Sequence, residues 1–206
     1  MKQFNIRFLK LLSGWRLVVA IYLALFIPLF RPVVSVIDPV GYYSWARSLL
    51  IDGDLDAANE FAHYSMDKNV PITPTGYLHN QWAPGSGLVW LPSMTAAHVA
   101  VTLFAKLGAP IAADGYSWPY VWAASLTSTI TGLGAVPLSY FLARKLFGDL
   151  ASLLSAIVVW LASPLVFYQY HQPLMSHAND AWLDALFVLA WWDARYHSFR
   201  PNSMLG

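Results

Sequence analysis

The chain contains no cysteine and few charged residues. The absence of cysteine among its 206 residues excludes disulfide bridges and thiolate metal sites. Only 11% of the residues are charged, whereas soluble domains average about 25%. The net charge is +1 and Lys and Arg are scattered, so no basic stripe indicates a nucleic-acid partner. The low charge content therefore argues against a soluble domain and against a nucleic-acid-binding protein.

Apolar and aromatic residues are abundant instead. Hydrophobic residues make up 57% of the chain, the mean hydropathy is +0.47, and there are ten Trp and eleven Tyr. Long apolar stretches of this kind are typical of a chain that is surrounded largely by lipid. Internal repeats and low-complexity segments are not apparent in the sequence. We expect an integral membrane protein.

The first apolar stretch covers residues 17–37 and is close to the roughly 20 residues that cross a bilayer core. No small-x-small cleavage site follows it, so we expect an uncleaved transmembrane helix rather than a signal peptide. The positive-inside rule then predicts a cytoplasmic N-terminus. The basic residues that precede the stretch are Lys2, Arg7, Lys10 and Arg16.

The next apolar stretch, residues 86–105, decides the topology. If this stretch crossed the membrane, four later basic residues would lie outside the cell. If it stays at the outer surface, those four residues lie inside with the N-terminal basic residues. The positive-inside rule favours the second arrangement. Pro92, His98 and Lys106 also suit an interfacial helix over 86–106. The four later basic residues are Arg144, Lys145, Arg195 and Arg200.

The predicted architecture is an all-α membrane domain with both ends in the cytoplasm. An outer loop over residues 38–118 contains two interfacial helices, near 39–52 and 86–106. A shorter outer loop, FYQYHQPLMSHAND, precedes the last span. The four transmembrane helices are expected at 17–37, 119–143, 150–168 and 179–193.

The first interfacial helix begins at an Asp-Pro pair. Asp38 is placed to be its N-cap and Pro39 its first-turn residue, an arrangement that requires no catalysis. We expect the helix to end at Gly53. Helical spacing predicts one apolar face along it, made of Tyr42, Trp45, Ala46, Leu49 and Leu50.

The segment DGDLDAANE is rich in carboxylates but does not match a calcium loop. Ala57 stands where an EF-hand has glycine, and His63 where it has a bidentate glutamate. The D-x-D pattern of soluble nucleotide-sugar transferases is present, but no βαβ pattern surrounds it. We interpret most of these carboxylates as a solvated turn.

Two further outer segments carry candidate functional residues. Residues 71–92 contain four prolines and three glycines and so predict a shaped loop, with Tyr77, Trp82 and Trp90 as anchors at headgroup depth. The shorter outer loop contains His171 and His177, followed by Asp180, a set that could bind a metal or a phosphate. If these side chains face the same compartment as Asp38, they form an outward polar pocket.

The order of these landmarks resembles a known family. DPVGYYSWARSLL after the first span, PTGYLHNQWAPGSGLVWLP, SYFLARKLFGD and YHQPLMSHANDAW follow one another as in the N-terminal portion of the GT-C glycosyltransferases. The similar branch contains the protein O-mannosyltransferases and the lipid-A aminoarabinose transferase. The resemblance covers nearly the whole chain.

The resemblance implies hexosyl or pentosyl transfer, with inversion, from a polyprenyl-phosphate donor at the outer face of the cytoplasmic membrane. It makes Asp38 the catalytic base or the residue that organises the site, although Asp-Pro stands here where O-mannosyltransferase-like members often have Asp-Glu. It places His177, or alternatively Asp180, opposite Asp38, and a divalent cation, Mg²⁺ or Mn²⁺, if one is used, would be held by Asp38 and His177. The substrate-binding candidates are Tyr42, His79, Gln81, His171 and Asp180, and membrane lipid and the donor are the expected partners.

The chain covers only the front part of such a family member. We therefore expect no activity of the chain alone, and three explanations stay open: the rest of the bundle is encoded elsewhere as a second polypeptide, the gene is truncated, or a reduced bundle works with a partner. The alternative is a noncatalytic membrane subunit, a lipid-carrier flippase or a degenerate transferase fragment, in which Asp38 only caps a helix.

Overall fold

The computed structural model describes residues 15–34, 37–66 and 70–197. Helices dominate these ranges, and their only β contact is an isolated antiparallel bridge between Ile72 and Leu78. The all-α class is thus confirmed. The helices are α1 (Trp15–Leu29), α2 (Ile37–Arg47), α3 (Ala58–His63), α4 (Gly85–Lys106), α5 (Trp118–Ala143), α6 (Asp149–Ala162) and α7 (His177–His197), with π-helical turns at Ser48–Asp52 and Phe167–His171.

Two of these helices, α4 and α5, are long and apolar enough to cross a membrane. The shorter helices also turn large apolar side chains outward, such as Ile27 in α1, Val159 in α6 and Phe187 in α7. Exposed apolar faces of this extent favour contact with lipid. The structure therefore supports association with a membrane.

Helices α1, α5, α6 and α7 form a bundle whose directions follow from their contacts. Val18 packs near Val136 and Tyr140, whereas Tyr22 donates a hydrogen bond to Thr129 at 3.2 Å, so α1 runs antiparallel to α5. Thr131 of α5 bonds to Asn179, near the start of α7. Lys145, just after α5, pairs with Asp193 near the end of α7. Helices α5 and α7 are therefore parallel, and α6 connects them in the opposite direction.

This arrangement gathers four chain segments at one end of the bundle, namely the start of α1, the end of α5, the start of α6 and the end of α7. We call it the basic end, because Arg16, Arg144, Lys145 and Arg195 lie there. Lys145 Nζ lies 2.5 Å from Asp193, and Arg144 Nε lies 3.2 Å from Asp149. The outer loop of the sequence analysis is attached to the opposite end.

The helices of the bundle differ from the expected spans at two ends. Helix α1 stops at Leu29 rather than near residue 37, because Pro32 follows and disfavours a helical conformation before it; residues 30–34 are not helical. Helix α6 stops at Ala162, two residues before Pro164, and the chain continues into the second π-helical turn instead of extending the helix to residue 168.

Helix α4 packs antiparallel to the first half of α5. Trp90 Nε1 donates to Ser128 at 2.8 Å, and eight residues later the His98 ring nitrogen lies 2.7 Å from the Tyr120 hydroxyl. Towards its end α4 thus passes the start of α5 and moves away from the basic end. The interfacial depth of this helix stays a prediction.

Helix α2 lies across α4 and continues into the first π-helical turn, which Gly53 ends with φ +75. The predicted apolar face is only partly right. Tyr43 and Ala46 are fully buried beside Trp90, but Leu49 is 40% exposed and the charged Arg47 is only 6% exposed. Arg47 replaces Leu49 on the buried side because it has buried partners, described below.

Candidate functional site

The start of α2 carries the residue that the sequence analysis favoured most. Asp38 lies inside the first turn, since the helix already begins at Ile37, and not at the preceding cap position; residues 35–36 lie outside the described ranges. Its side chain is half-buried. Within the described ranges its carboxylate forms no hydrogen bond or ion pair. Asp38 therefore has acceptor capacity for another group.

The loop over residues 78–82 is fastened to α2 just beyond Asp38. Asn80 Nδ2 donates to the Gly41 carbonyl and to Ser44 Oγ, both at 2.9 Å. The Trp82 backbone N–H donates to Asn80 Oδ1 at 3.1 Å, and Trp45 Nε1 donates to the Trp82 carbonyl at 2.8 Å. Asn80 thus attaches the loop that carries His79 and Gln81 to α2, three to six residues beyond Asp38.

The approach of this loop to α2 depends on a glycine. The Trp82 ring covers Gly41 so closely that a Cβ at position 41 would lie 2.0 Å from Trp82 Cε3. Any side chain at position 41 would move the indole ring. Gly41 therefore fixes the position of the 78–82 loop as firmly as the hydrogen bonds of Asn80 do.

The shorter outer loop returns to the same region. The Arg31 N–H donates to the Tyr170 carbonyl at 2.8 Å, and the fully buried Leu174 packs into the cluster that contains Tyr43 and Ala46 of α2. This loop is thereby held against the segment that leads into α2. Residues from both outer loops meet at one end of the bundle.

A buried polar network holds the shorter outer loop against α5. Gln169 accepts from Trp160 Nε1 at 2.7 Å and donates to the Thr129 carbonyl at 2.8 Å. Asn179 accepts from Thr131 at 2.7 Å. Gln169 and Asn179 are fully buried and their hydrogen bonds are made within the protein, so they fix the loop rather than bind a substrate.

The two histidines of the shorter loop point to different neighbours. The His177 ring lies 3.9 Å from the Tyr168 ring, and the exposed imidazole begins α7. His171 lies 5.0 Å from the Phe167 ring and lines a groove of about 430 Å³ with Leu29 and Ser163. Asp180 is exposed one turn into α7. Among the described residues, no hydrogen bond or ion pair joins Asp38 to either imidazole.

The carboxylates of DGDLDAANE surround an arginine. Arg47 Nη1 donates to Glu60 Oε1 at 2.8 Å and also bonds to Asp52, while Nε donates to the Asp114 carbonyl at 3.0 Å. The guanidinium lies 4.2 Å from the centre of the Tyr116 ring. The interpretation as a solvated turn is wrong for Glu60, which is fully buried. Much of the negative charge in this segment therefore balances Arg47.

Burial and pairing act in opposite directions on this cluster. Burial raises the pKa of the Glu60 carboxyl, and the bond to Arg47 offsets only part of that effect. Burial alone would lower the pKa of Arg47, but the bond and charge of Glu60 raise it by more. Burial also raises the pKa of Tyr116 to about 12, so its ring stays neutral beside the guanidinium. The cluster joins α2, α3 and the α4–α5 connection as a structural element.

A groove of about 520 Å³ opens between α2 and residues 71–79, which form a short hairpin; we call it the hairpin groove. Thr73 N–H donates to the Tyr77 carbonyl at 2.8 Å and His79 N–H to the Pro71 carbonyl at 2.9 Å, so the hairpin is fixed by its own backbone. The lining includes Trp45, Asp54, Thr73, Tyr77, His79 and Asn80.

The remaining predicted site residues divide into two groups. His79 and Gln81 are exposed on the 78–82 loop, close to the start of α2. Tyr42, on α2, is half-buried and packs against the apolar cluster of Tyr43 and Trp90, so it contributes to packing. The expectation that Trp90 anchors the chain at headgroup depth is wrong. Trp90 is fully buried and its indole N–H is bonded to Ser128.

A divalent cation finds no preformed ligand set in the described part of the chain. No three His, Asp or Glu side chains converge there in a way that could hold a metal ion. Asp38 and His177, the two ligands that the resemblance implies, belong to different helices, and no hydrogen bond or ion pair joins them in the described ranges.

Sequence reasoning missed the residues that organise this site. Asn80 stands in a loop, where amides are common, and only its bonds to Gly41 and Ser44 show its role. Arg47 falls on the polar side of the predicted helix, and its pairing with Glu60 across 13 positions has no local signal.

No protein-family model matches the sequence, and no curated protein or solved structure matches the chain.

Proposed function

We propose that the chain is a membrane glycosyltransferase or a part of one. It moves a sugar from a polyprenyl-phosphate donor to an acceptor hydroxyl or amine at the outer face of the cytoplasmic membrane. The observation that carries this proposal is the convergence of three segments at the end of the bundle opposite the basic end: the start of α2 with Asp38, the 78–82 loop, and the 170–174 segment.

The basic end supports the orientation. Arg16, Arg144, Lys145 and Arg195 come from four helix ends and lie together there, and the positive-inside rule puts such a cluster in the cytoplasm. Asp38 and both outer loops then face the outside. Lipid-linked sugars would approach this end from the membrane, beside the exposed apolar faces of the bundle.

The reaction needs one base and a stabilised leaving group. In the proposed step the Asp38 carboxylate takes the proton of the acceptor O–H or N–H, while the acceptor atom forms a bond to the anomeric carbon from the face opposite the phosphate. The bond between the anomeric carbon and the phosphate oxygen breaks, and its electron pair leaves with the phosphate. The anomeric configuration is therefore inverted.

The neighbouring donors suit the departing phosphate. Gln81 follows Asn80, which is bonded to α2 beyond Asp38, and it supplies amide N–H groups, whereas His79 lines the hairpin groove. His171 and His177 offer imidazoles from the shorter loop. Hydrogen-bond donors aimed at a developing negative charge are a major source of catalysis in such reactions. The Asp38 carboxylate is thus assigned to the bond that forms at the acceptor, and the hydrogen-bond donors are assigned to the bond that breaks at the phosphate.

A transfer assay tests this function in native membranes. A strain that lacks the gene would be complemented with the full chain, and its membranes would receive radiolabelled mannosyl, glucosyl and arabinosyl polyprenyl phosphates. We expect release of the sugar from one donor to a membrane or cell-envelope acceptor only when the chain is present. Equal transfer with and without the chain for all three donors contradicts the proposal.

A noncatalytic subunit is the second candidate. The absence of a hydrogen bond or ion pair between Asp38 and the two imidazoles, in the residues that the structure describes, favours it. Under this alternative the chain would organise or complete another polypeptide, and Asp38 would only stabilise the first turn of α2. Deletion of the gene would then abolish transfer, but neutralising Asp38 would not.

A further inference from the structure

The hairpin groove has the size and stiffness of a small-molecule site. Its volume of about 520 Å³ lies within the range of roughly 300–1,000 Å³ that is typical of ligand pockets. One wall is the hairpin, closed by the Ile72–Leu78 bridge and turned by Gly76 at φ +91. The other wall is α2 and the segment after Gly53. A preformed groove of this kind loses little conformational entropy when a ligand binds.

The polar groups of the groove are arranged around one free carboxylate oxygen. Asp54 Oδ1 accepts from Ser48 Oγ at 2.6 Å and from the Asp56 N–H at 3.1 Å. Its Oδ2 has no hydrogen-bond partner within the described ranges. Asn80 is already committed to α2, but the exposed His79 ring and the Tyr77 hydroxyl are available. The groove therefore offers both acceptors and donors to a ligand.

The apolar part of the lining consists of two aromatic rings, Trp45 and Tyr77, and two leucines, Leu55 and Leu78. Trp45 is held in orientation by its bond to the Trp82 carbonyl, and Tyr77, 53% exposed, stands on the hairpin. No Lys or Arg belongs to the groove lining, so the groove does not suit a phosphate. Aromatic rings beside a carboxylate and a few neutral donors match a sugar ring, which has an apolar C–H face and hydroxyl groups at its edge.

The groove is aligned with Asp38. Trp45 follows Asp38 by seven residues, which is two helical turns, so the two side chains share one face of α2 about 10 Å apart along its axis. Gly41, covered by Trp82, lies between them on the same face. A chain of linked sugars that starts in the groove therefore has to pass over the Trp82 ring to reach Asp38.

We propose that the hairpin groove binds a saccharide unit of the acceptor, with its ring against Trp45 and Tyr77 and its hydroxyls on Asp54 and His79. This assignment as an acceptor subsite rests on the proposed function. The acceptor would then be a glycan or a glycolipid headgroup, and the groove would hold a sugar that lies beyond the one that receives the transfer.

Saturation-transfer NMR tests binding directly, without a donor and without catalysis. The full chain in lipid nanodiscs would be mixed in turn with methyl α-mannoside, methyl N-acetylglucosaminide, methyl arabinoside and tetramethylammonium. We expect signals from the ring protons of at least one glycoside. Asp54→Asn and Tyr77→Ala should each weaken its binding by about tenfold, because a charged hydrogen bond and an aromatic contact contribute about that much.

Two matched variants serve as controls. Asp56→Asn changes a neighbouring carboxylate outside the groove lining and keeps its acceptor for the Ala58 N–H, and Tyr196→Ala removes an exposed tyrosine near the basic end. Both should bind like the unchanged chain. The proposal is overturned if no glycoside gives a signal, if only tetramethylammonium does, or if the signal survives both groove variants.

The same variants separate this proposal from the proposed function. If a glycoside binds in the groove but membranes with the chain transfer no sugar, the saccharide site stands and the transferase function fails. If sugar is transferred but Asp54→Asn and Tyr77→Ala leave the KM for the acceptor unchanged, the transferase function stands and the subsite is refuted. Free glycan and glycolipid acceptors, assayed in parallel, distinguish the two sources of the sugar.

Discussion

The indole ring of Trp82 lies against the backbone of Gly41, so close that a Cβ at position 41 would be 2.0 Å from Trp82 Cε3. This contact fixes the 78–82 loop one turn beyond Asp38 and separates the acid from the hairpin groove. The position of the candidate site therefore depends on the absence of a side chain at Gly41.

Gly41→Ala should displace Trp82 and lower the free energy of unfolding by about 1–3 kcal/mol, the usual cost of overpacking. Denaturant unfolding in detergent micelles measures this difference. Gly85→Ala is the matched control, because a Cβ at position 85 would meet nothing within 4 Å. A Gly41→Ala protein as stable as the Gly85→Ala protein would show that the ring does not occupy this position.

Arg47→Met should destabilise the fold by about 3–5 kcal/mol, because Glu60 would remain buried without a counter-charge. The double variant Arg47→Met with Glu60→Leu should recover most of the loss. Unfolding free energies of the two single variants and the double variant form a cycle that isolates the pair. Lys106→Met, at an exposed position, should change stability by less than about 0.5 kcal/mol.

The same pair predicts a pH dependence. Burial raises the pKa of Glu60 in the folded chain, so the favourable contribution of the protonated form is present at low pH and is lost as the pH rises through that raised pKa. Without Arg47 the carboxyl should be protonated more readily. The deficit of Arg47→Met should therefore shrink as the pH falls, and a deficit that stays constant would exclude a buried carboxylate as its cause.

Asp54 should behave in the opposite way. The bonds from Ser48 Oγ and the Asp56 N–H lower its pKa, so its contribution is present above the ordinary value of about 3.9 and is lost as the pH falls through the lowered pKa. Ser48→Ala should move the titration of the Asp54 carboxyl carbon, followed by NMR, to higher pH. Ser139→Ala, in α5, should leave it unchanged, and an unshifted titration in Ser48→Ala would refute the bond.

Single cysteines test the orientation, because the native chain contains no thiol. Thr75→Cys and Lys106→Cys should react with a membrane-impermeant maleimide from outside intact cells, and Gly148→Cys should react only after the cells are opened. The result for Lys106 decides the depth of α4. Labelling of Lys106→Cys from the inside only would make α4 a membrane crossing and would reverse the proposed orientation of α5.

The sequence allowed the helices to be predicted where local patterns specify them. The extent of α5 and the stop at Gly53 follow from apolar length and from glycine's tolerance of positive φ. The early end of α1 was missed because Arg31 and Pro32 lie inside an otherwise apolar run, which composition reads as one span. The local pattern also put Arg47 on a polar face. It gave no sign of the pairing with Glu60, because only the turn and α3 bring Glu60 near Arg47.

The candidate site was less accessible to sequence reasoning than the fold. Asp38, His79 and Gln81 were identified, and the structure holds the loop of the last two beside the helix of the first. The pairing of Asp38 with His177 stays a prediction. Asn80 and the hairpin groove depend on long-range packing, to which neither residue type nor spacing gives a clue.

The most direct measurement of the central claim is sugar transfer by Asp38→Asn in the complemented membranes described above. At this first-turn position Asn keeps the size and shape of the Asp38 side chain but cannot accept a proton as a base. We expect a loss of roughly 100-fold or more, the range of general-base catalysis, with normal membrane insertion and with Asp56→Asn transferring like the unchanged chain. Transfer by Asp38→Asn at the rate of the unchanged chain would contradict the account.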